Sequence, residues 1–426
     1  MNMENSFNKK TIKDIDVSGK RVLLRIAYDI TPKEVDGKMV IKNDARIRAT
    51  LPTIEYLLER NCSLVLLSWL KRPGGKVVEE YRMNPVAEKL AEILGRPVKK
   101  MDDCVGPEVE KAVKAMRPGE IIMLENVRFH PEEEKEDPAF AKQLADLGEL
   151  IVFDAFAQSH RVHSSTTGIL KQKEAVAGFL VEKELNVLSA LLENPKRPFV
   201  VVLGGAKISD KLDTIINLLD KADALLIGGA LSNTFLKAKG VNVESSFIED
   251  VYVNIAKGEK KDYLTLAKEL LEKTSGQKTS FKDIPDLKFL QLPPDLAAAE
   301  KIEENVASKV VDLTEGETLP PGWTYLDIGP KSAELFSQAI QQAQTIFWNG
   351  PMGYFEIDEF AKGTEKVANA IVESKATSVI GGGDTEKIVK MFKLGGKFSH
   401  VSTGGGASLE FLAGKKLPAI ELLPNR

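Results

Sequence analysis

Arginines and glycine clusters follow the apolar runs of this 426-residue sequence, and each residue type occupies its own half. The first half carries the arginines, all but the first of them at the end of an apolar run: Arg46, Arg72, Arg128 and Arg161. The second half carries glycines in three clusters: Gly204–Gly205, Gly381–Gly383 and Gly404–Gly406. Guanidinium groups bind small polyanions through paired hydrogen bonds, whereas the N–H groups of glycine-rich turns cradle phosphates. We therefore expect an anionic metabolite on the first half and a nucleotide on the second.

Polar residues beside two of the glycine clusters fit phosphate chemistry. Lys207 and Lys211 follow Gly204–Gly205 and would place point charges beside backbone donors. In the GGGDT segment, Gly382 and Gly383 would offer N–H donors and Thr385 a helix-capping hydroxyl. The sequence contains neither a Walker A motif nor the HRD and DFG motifs of protein kinases, so those two phosphotransferase classes are set aside.

The bulk composition excludes several classes of protein. With 43% apolar residues, 28% charged residues and a net charge of −4, the chain has no basic surplus for nonspecific nucleic-acid binding. Its two cysteines, Cys62 and Cys104, predict no disulfide framework, as in a reducing compartment. The first residues have no signal-peptide core, and no run approaches the ~18 uninterrupted apolar residues of a membrane span. These features predict a cytoplasmic protein that binds neither nucleic acid nor membrane.

Short apolar runs alternate with helical patterns along the whole chain. Near-continuous apolar runs of this kind are typical of parallel strands buried on both faces. The predicted strands are Arg21–Tyr28, Ser63–Trp69, Ile121–Leu124, Leu150–Phe153, Phe199–Leu203, Ala224–Ile227, Thr345–Trp348 and Ser378–Ile380. The predicted helices include Arg46–Glu59, Pro85–Ile93, Ala139–Leu147, Lys211–Leu219 and Gly363–Val372. The alternation predicts an α/β protein with two Rossmann-like, doubly wound parallel sheets, whose ligands bind at the carboxyl ends of the strands.

One amphipathic segment separates the two halves. Residues 181–195 carry apolar positions at helical spacing and are predicted to form a connecting helix, a hinge between domains 1–180 and 196–405. The remaining residues, 406–426, form a C-terminal segment. The acidic run Glu132–Glu136 is predicted to be a solvated loop.

With these motifs in place, the sequence resembles the phosphoglycerate kinase family over essentially its whole length. The motifs that carry the resemblance are DIDVSGKRVLLR, ARIRATLPTIEYLLE, LENVRFHPEEE, DAF…HRVHSST, GGAKISDK, LDIGPKS, WNGPMGYFE, GGGDT and SHVSTGGGASLEFL. The resemblance implies reversible phosphoryl transfer between 1,3-bisphosphoglycerate and ADP, with Mg²⁺ as cofactor and 3-phosphoglycerate and ATP as products. It also implies that residues 406–426 pack back on the acid-binding domain and that the protein is a monomer.

The resemblance assigns roles residue by residue. Residues implied in catalysis are Arg46, Lys207, Gly382 and Gly405. Residues implied in binding the phosphorylated acid are Asp29, Arg46, Trp69, Arg72, Arg128, His160 and Arg161. Residues implied in binding the adenine nucleotide are Gly204, Lys207, Lys211, Gly229, Tyr325, Asn349, Glu356, Gly382, Gly383, Asp384 and Thr385. Asp384 would also hold Mg²⁺, and its alternative role is that of a helix-capping acid without a metal.

The sequence departs from the family pattern at several binding positions. In the first half, Ala27 replaces an aspartate, Asp29 an asparagine, Trp69 a histidine and Lys71 a glycine. In the second half, Ala230 and Tyr325 replace glycines, the latter beside the adenine. Three functions therefore stay open at this point: a phosphoglycerate kinase, a kinase for another small phosphorylated acid, and a non-catalytic relative that binds nucleotide or anion.

Overall fold

The computed structural model describes residues 8–254, 259–281 and 283–426, which divide into two compact units. The first unit extends to Ser189 and includes Lys415–Arg426, and the second unit is Ala190–Gly414. Each unit contains a six-stranded parallel sheet with helices, so the predicted α/β class with two doubly wound sheets is confirmed.

The sheet of the first unit has the strand order β5-β6-β4-β1-β7-β8, and every neighbouring pair is parallel. Its central strands are fully buried or nearly so, as their apolar sequences require. A short antiparallel hairpin, β2–β3, lies outside this sheet. The strands are β1 (Arg21–Ile26), β2 (Lys33–Val35), β3 (Lys38–Val40), β4 (Ser63–Leu67), β5 (Lys99–Lys100), β6 (Ile121–Met123), β7 (Leu150–Asp154) and β8 (Ala175–Ala177).

Five helices alternate with these strands, and the last of them leads into the second unit. They are α1 (Ala45–Glu59), α2 (Asn84–Leu94), α3 (Pro107–Lys114), α4 (Pro138–Ala145) and α5 (Phe179–Glu193). The helix predicted over 181–195 is α5, which begins and ends two residues earlier. The buried carboxylate of Asp154 fixes its first turn, since one oxygen accepts the N–H groups of Leu180 at 2.9 Å and Val181 at 3.1 Å.

The capping carboxylate leads to a prediction about pH. Burial raises the pKa of Asp154 from 3.8 to about 7. Between these values the folded protein keeps a proton that the unfolded chain has released, so the group's contribution to stability falls as the pH rises. We expect the unfolding free energy of the wild type, relative to Asp154→Asn, to decrease steadily from about pH 4 to pH 7. Denaturant titrations at several pH values measure this difference, and the same comparison with Asp102→Asn, at an exposed position, provides the control.

The parallel sheet of the second unit has the order β13-β10-β9-β17-β18-β19. Two small antiparallel sheets accompany it, β11–β12 and β15-β14-β16. The strands are β9 (Phe199–Leu203), β10 (Ala224–Ile227), β11 (Val251–Asn254), β12 (Glu259–Asp262), β13 (Leu290–Gln291), β14 (Asp295–Ala299), β15 (Ser308–Asp312), β16 (Thr324–Ile328), β17 (Thr345–Asn349), β18 (Thr377–Gly381) and β19 (His400–Val401).

Helices pack against this sheet around a core that includes Phe336, Ile346 and Trp348. The helices are α6 (Leu212–Leu218), α7 (Gly229–Ala238), α8 (Tyr263–Thr274), α9 (Pro330–Gln342), α10 (Lys362–Glu373), α11 (Gly383–Met391) and α12 (Gly406–Leu412). Within the described ranges, no helix is both long and apolar enough to cross a bilayer.

The C-terminal residues return to the first unit at Lys415 and include a short helix there, α13 (Pro418–Glu421). Lys10 donates its backbone N–H to the Pro424 carbonyl at 2.8 Å, and Arg426 forms an ion pair with Asp14 at 3.0 Å. The N-terminal and C-terminal segments thus lie side by side in one unit.

Candidate active site

Four strands of the first unit end at the same edge of its sheet, and the predicted acid-binding residues follow them. Asp29 follows β1, Trp69 follows β4, Arg128 follows β6 and His160 follows β7. Arg46 is the second residue of α1 and is half-buried. Because parallel strands bring their carboxyl ends together, these residues lie on one face of the unit.

Hydrogen bonds link three of these residues, together with Lys71, in one chain of contacts. Arg46 donates from Nη1 to the Asp29 carbonyl at 3.3 Å. The Asp29 carboxylate accepts the backbone N–H of Lys71 at 3.0 Å, and the Lys71 carbonyl accepts from Arg128 Nη1 at 2.7 Å. Two predicted substrate-binding arginines are therefore held by the backbone carbonyls of Asp29 and Lys71, and the side chain of Asp29 holds the Lys71 backbone in turn.

Trp69 lies beneath this chain and is only 2% exposed. The guanidinium carbons of two arginines lie over its ring, Arg25 at 4.5 Å and Arg128 at 4.1 Å from the centroid. The His163 ring is also adjacent, at 5.2 Å between centroids. The indole thus offers a π surface to two positive charges.

Arg25 and Glu133 are two buried charged residues that we did not single out from the sequence. The Arg25 side chain is fully buried; it donates from Nε to the Ser165 carbonyl at 2.9 Å and from Nη1 to the Ile26 carbonyl. Its Nη2 has no hydrogen-bond partner among the described residues. The arginine inside the apolar run RVLLRI was the available signal, because a buried charge needs a partner.

Glu133 overturns the prediction of a wholly solvated acidic loop over Glu132–Glu136. Its side chain is fully buried and accepts both the N–H and the hydroxyl of Ser165, at 2.9 Å and 2.6 Å. Burial raises the pKa of Glu133 and lowers that of Arg25 to about 9, while each charge favours the other. The prediction was wrong because Ser165 and Arg25 lie far from this run in sequence.

The remaining residues of this edge differ in exposure and in charge. Arg72 and Arg161 are exposed. Burial and neighbouring arginines lower the pKa of both His160 and His163 to about 4, so both imidazoles are neutral at pH 7. Arg161 contributes to both shifts, and Arg72 likewise contributes to the lowered pKa of Arg128. The positive charges of Arg72 and Arg161 therefore act on neighbouring side chains of this edge, as expected of an anion-binding surface.

In the second unit, glycines allow three chain segments to approach closely. The N–H groups of Gly204 and Gly205 donate to the carbonyls of Asn349 and Pro351, at 2.9 Å and 2.8 Å. A Cβ atom on Gly229, where φ is +64°, would lie 2.6 Å from the Gly205 nitrogen. Lys211 is nearly buried, and its ammonium would lie 3.4 Å from a Cβ on Gly205. Burial lowers the Lys211 pKa.

A second group of predicted nucleotide-binding residues joins the ends of β17 and β18. The Asn349 side chain donates to the Gly381 carbonyl at 2.7 Å, and Thr385 accepts the Gly350 N–H at 2.9 Å. Gly382 has φ of +98°, and a Cβ there would lie 2.7 Å from Asn349 Nδ2. These contacts set the first turn of α11, of which Asp384 is the second residue.

The carboxylate of Asp384 is exposed and pairs with Lys387 Nζ at 2.7 Å. The negative charge of Asp384 also favours the charged form of Lys211 and so counteracts the lowering of its pKa. In the part of the chain that the structure describes, no group of three metal-type side chains includes Asp384; the one such group is Asp103, Cys104 and His130. Mg²⁺ binds through one or two carboxylates and completes its shell with phosphates and water. The single carboxylate of Asp384 therefore fits this ion.

Among the residues that the structure describes, the other predicted residues of this unit form no side-chain hydrogen bond with these segments. Lys207 is exposed, between Gly205 and Lys211, and Gly405 precedes α12 with φ of +53°. Glu356 is exposed and contributes to the raised pKa of Lys387. Tyr325 lies in β16 of the antiparallel sheet and is 5% exposed.

Asn233 on α7 is a buried residue that the sequence reasoning missed. Its Nδ2 donates to the Phe247 carbonyl at 3.2 Å, next to Ser246, whose hydroxyl accepts the Tyr325 N–H at 2.9 Å. Asn233 Oδ1 and the Tyr325 hydroxyl are both buried without a hydrogen-bond partner among the described residues. The only feature of the sequence that could have pointed to this buried residue is an asparagine within the helix GALSNTFLKA.

Lys71 occupies a left-handed backbone conformation, with φ of +59°. A Cβ atom there costs roughly 1–2 kcal/mol, which glycine avoids. We expect Lys71→Gly to raise the unfolding free energy of the first unit by about 1 kcal/mol. Denaturant titration measures the change, and Lys76→Gly, at a nearby exposed position without a positive φ, is expected to lower stability instead.

Known proteins match the chain over nearly its whole length. The family model described as phosphoglycerate kinase matches residues 12–415. A phosphoglycerate kinase from Rubrobacter xylanophilus is 47% identical over 419 residues, which cover 98% of this chain and 99% of the relative. One from Thermosipho africanus is 48% identical over 421 residues, covering 98% of each chain. The solved structure of phosphoglycerate kinase from Coxiella burnetii superposes with a TM-score of 0.81 at 36% identity, covering 97% of this chain and 98% of that one.

These similarities, together with the two ligand-binding edges, place the protein among the kinases that phosphorylate a carboxylate acceptor. The chain belongs to the phosphoglycerate kinase family.

Proposed function

We propose that this protein transfers a phosphoryl group reversibly between 1,3-bisphosphoglycerate and ADP, giving 3-phosphoglycerate and ATP. The observation that carries the proposal is the retention of the charge-bearing residues on the two ligand-binding edges, in a chain about half identical to phosphoglycerate kinases throughout. The arginines, the lysines and Asp384 are kept, and among the departures only Ala27 removes a charge that the family pattern carries.

On the first unit, the arginines would bind the acid through its phosphate and carboxylate. Arg46 and Arg128 present guanidinium groups oriented by backbone carbonyls, and Arg72 and Arg161 add exposed positive charge. Since His160 is neutral at pH 7, it would contribute a hydrogen bond rather than a charge. Together, these side chains would neutralise the charges of a small polyanion, so that no negative charge of the bound acid is left buried without a partner.

On the second unit, the residues beside the glycine turns would hold the nucleotide phosphates. Lys211 and Lys207 would contact them, while the amides of Gly382 and Gly383 donate hydrogen bonds at the start of α11. Asp384 would hold Mg²⁺, which supplies charge neutralisation on the phosphate oxygens when bound. Tyr325 and Glu356 are proposed to contact the nucleoside of an adenine nucleotide.

The chemical step is a displacement at phosphorus. A carboxylate oxygen of 3-phosphoglycerate forms a bond to the terminal phosphorus of ATP as the bond to the bridging oxygen breaks, and ADP leaves with that electron pair. No proton transfer is required, so the work of the protein is orientation and charge stabilisation. We assign the charge stabilisation to Arg46, Lys207, Gly382 and Gly405. We further infer that the enzyme acts as a monomer in the cytoplasm.

The direct test is ATP consumption that depends on 3-phosphoglycerate and Mg²⁺, measured with the purified chain. The matched variant carries Ala27→Asp, Asp29→Asn and Trp69→His, which restore the family residues. Turnover by the wild type would support the proposal. Turnover by the triple variant alone would assign the natural protein to another acid substrate or to a binding role. Light scattering on the same preparation tests the monomer.

A further inference from the structure

Three of the four departures in the acid-binding edge belong to one set of contacts around Arg128. Trp69 lies under Arg128 at 4.1 Å, Lys71 accepts a hydrogen bond from Arg128 at 2.7 Å, and Asp29 accepts one from the Lys71 N–H at 3.0 Å. Their arrangement indicates a joint role.

The ring of Trp69 stabilises two neighbouring positive charges at this edge. Arg25 and Arg128 both lie within 4.5 Å of its ring centroid, and the two like charges disfavour each other. The face of an indole carries negative potential, and it is the most favourable aromatic surface for a cation. Because the ring is 2% exposed, water does not screen this attraction. The ring therefore fixes the plane in which Arg128 lies.

Asp29 and Lys71 fix the other side of the Arg128 guanidinium. The Lys71 carbonyl points at Arg128 Nη1 while its N–H is held by the Asp29 carboxylate. The negative charge of Asp29 in turn favours the charged form of Arg128. An acidic side chain on an anion-binding surface is unfavourable alone, but here it is compensated by the arginine that it helps to hold.

We propose that Trp69, Lys71 and Asp29 form one positioning unit for Arg128 and Arg46, and that this unit adapts the pocket of this chain to its acid substrate. The inference rests on the proposed function for the identity of that acid. Trp69 acts as a positioning residue through Arg128, since its buried ring is not available to the substrate. Asp29 extends the unit to Arg46 through its carbonyl.

The first experiment separates the π surface of Trp69 from its bulk. Trp69→Phe keeps an aromatic face, whereas Trp69→Leu keeps only a large apolar side chain. We expect Trp69→Leu to raise the KM for 3-phosphoglycerate about tenfold with a smaller change in kcat, and Trp69→Phe to raise it about threefold or less. The KM for ATP reports on the other unit and is expected to stay unchanged. Thermal unfolding checks that each variant is folded.

The second experiment tests whether the residues act jointly. Asp29→Ala removes the acceptor of the Lys71 N–H and is expected to raise the same KM about tenfold. If both residues act through Arg128, the double variant Trp69→Leu/Asp29→Ala should lose much less than the product of the single effects. A KM increase in the double variant equal to the product of the two single increases would overturn the joint role. Equal KM values for Trp69→Phe and Trp69→Leu would overturn the role of the π surface.

Calorimetric binding of 3-phosphoglycerate to the same variants keeps this inference separate from the proposed function. Graded loss of binding across the Phe and Leu variants, in a protein without turnover, would refute the proposed function and support the positioning unit. Turnover with no difference between these variants would refute the unit alone. A wild type that neither binds nor phosphorylates 3-phosphoglycerate would refute both.

Discussion

Arg46→Ala is expected to reduce kcat about 10³-fold, the largest loss from any single replacement in the first unit. Phosphoryl transfer spreads negative charge over the equatorial oxygens of the moving group, and a guanidinium aimed at them stabilises the transition state more than the ground state. Arg46 is suited to this role because the Asp29 carbonyl orients its Nη1 while the side chain stays half-exposed toward the ligand-binding edge. Steady-state kinetics with saturating ATP and 3-phosphoglycerate measure the effect.

Arg48 provides a matched control on the same helix. It lies two positions further along α1, where the helical period turns its side chain to the opposite face. Its guanidinium pairs with Asp44 at 2.9 Å and is 58% exposed. Arg48→Ala is expected to keep kcat within about twofold, as for a surface ion pair. Equal losses from both replacements would mean that the total charge of the helix matters and that Arg46 has no specific role.

The parallel strands were the most predictable part of this fold. The predicted strands Phe199–Leu203 and Ala224–Ile227 coincide with β9 and β10. Both are short, continuously apolar runs ended by glycine, and a strand buried on both faces permits no other composition. The ends of β1 and β4 were placed two residues too far, because Ala27, Tyr28, Ser68 and Trp69 continue the apolar pattern after the ladder has ended.

The small antiparallel sheets could not be predicted in the same way. Strand β15, Ser308–Asp312, is exposed at its first three residues and carries a charge at Lys309. Strand β14, with the sequence DLAAA, has little β-propensity of its own. These strands form because they pair with each other and with β16. Such pairing depends on contacts between separate segments and is not encoded in the sequence of any one of them.

The acid-binding edge shows the same limit at the level of single residues. The sequence showed that arginines follow the ends of predicted strands. Because parallel strands direct their carboxyl ends to one edge, it also predicted that these arginines share that edge. The sequence did not predict that Trp69 lies beneath Arg128 or that Ser165 makes the burial of Glu133 favourable. Both contacts depend on which loops meet above the sheet. Residues that looked like losses one at a time are therefore seen as one contact network only in the structure.

Asp384→Ala is expected to lower kcat about 10²–10³-fold at fixed Mg²⁺ and to abolish the normal Mg²⁺ dependence. In the proposed function, this carboxylate is the protein ligand of the ion that neutralises the nucleotide phosphates. Its pairing with Lys387 at 2.7 Å does not block that role, because an exposed ion pair contributes only ~0–1 kcal/mol and a divalent ion competes readily. Initial rates measured across a Mg²⁺ titration give both quantities.

Two further variants make this prediction specific. Lys387→Ala removes the competing ammonium and is expected to shift half-saturation to a Mg²⁺ concentration about twofold to fivefold lower, as loss of a weak surface pair implies. Glu365→Ala deletes an exposed carboxylate from the first turn of α10 and should leave the titration unchanged. Asp384 lies in the first turn of α11, after the N-cap Gly382, and forms no capping hydrogen bond. If Asp384 holds no metal, Asp384→Asn will therefore retain wild-type rates and Mg²⁺ dependence. A metal ligand cannot be replaced in this way, since the amide supplies an oxygen without the charge that holds the ion.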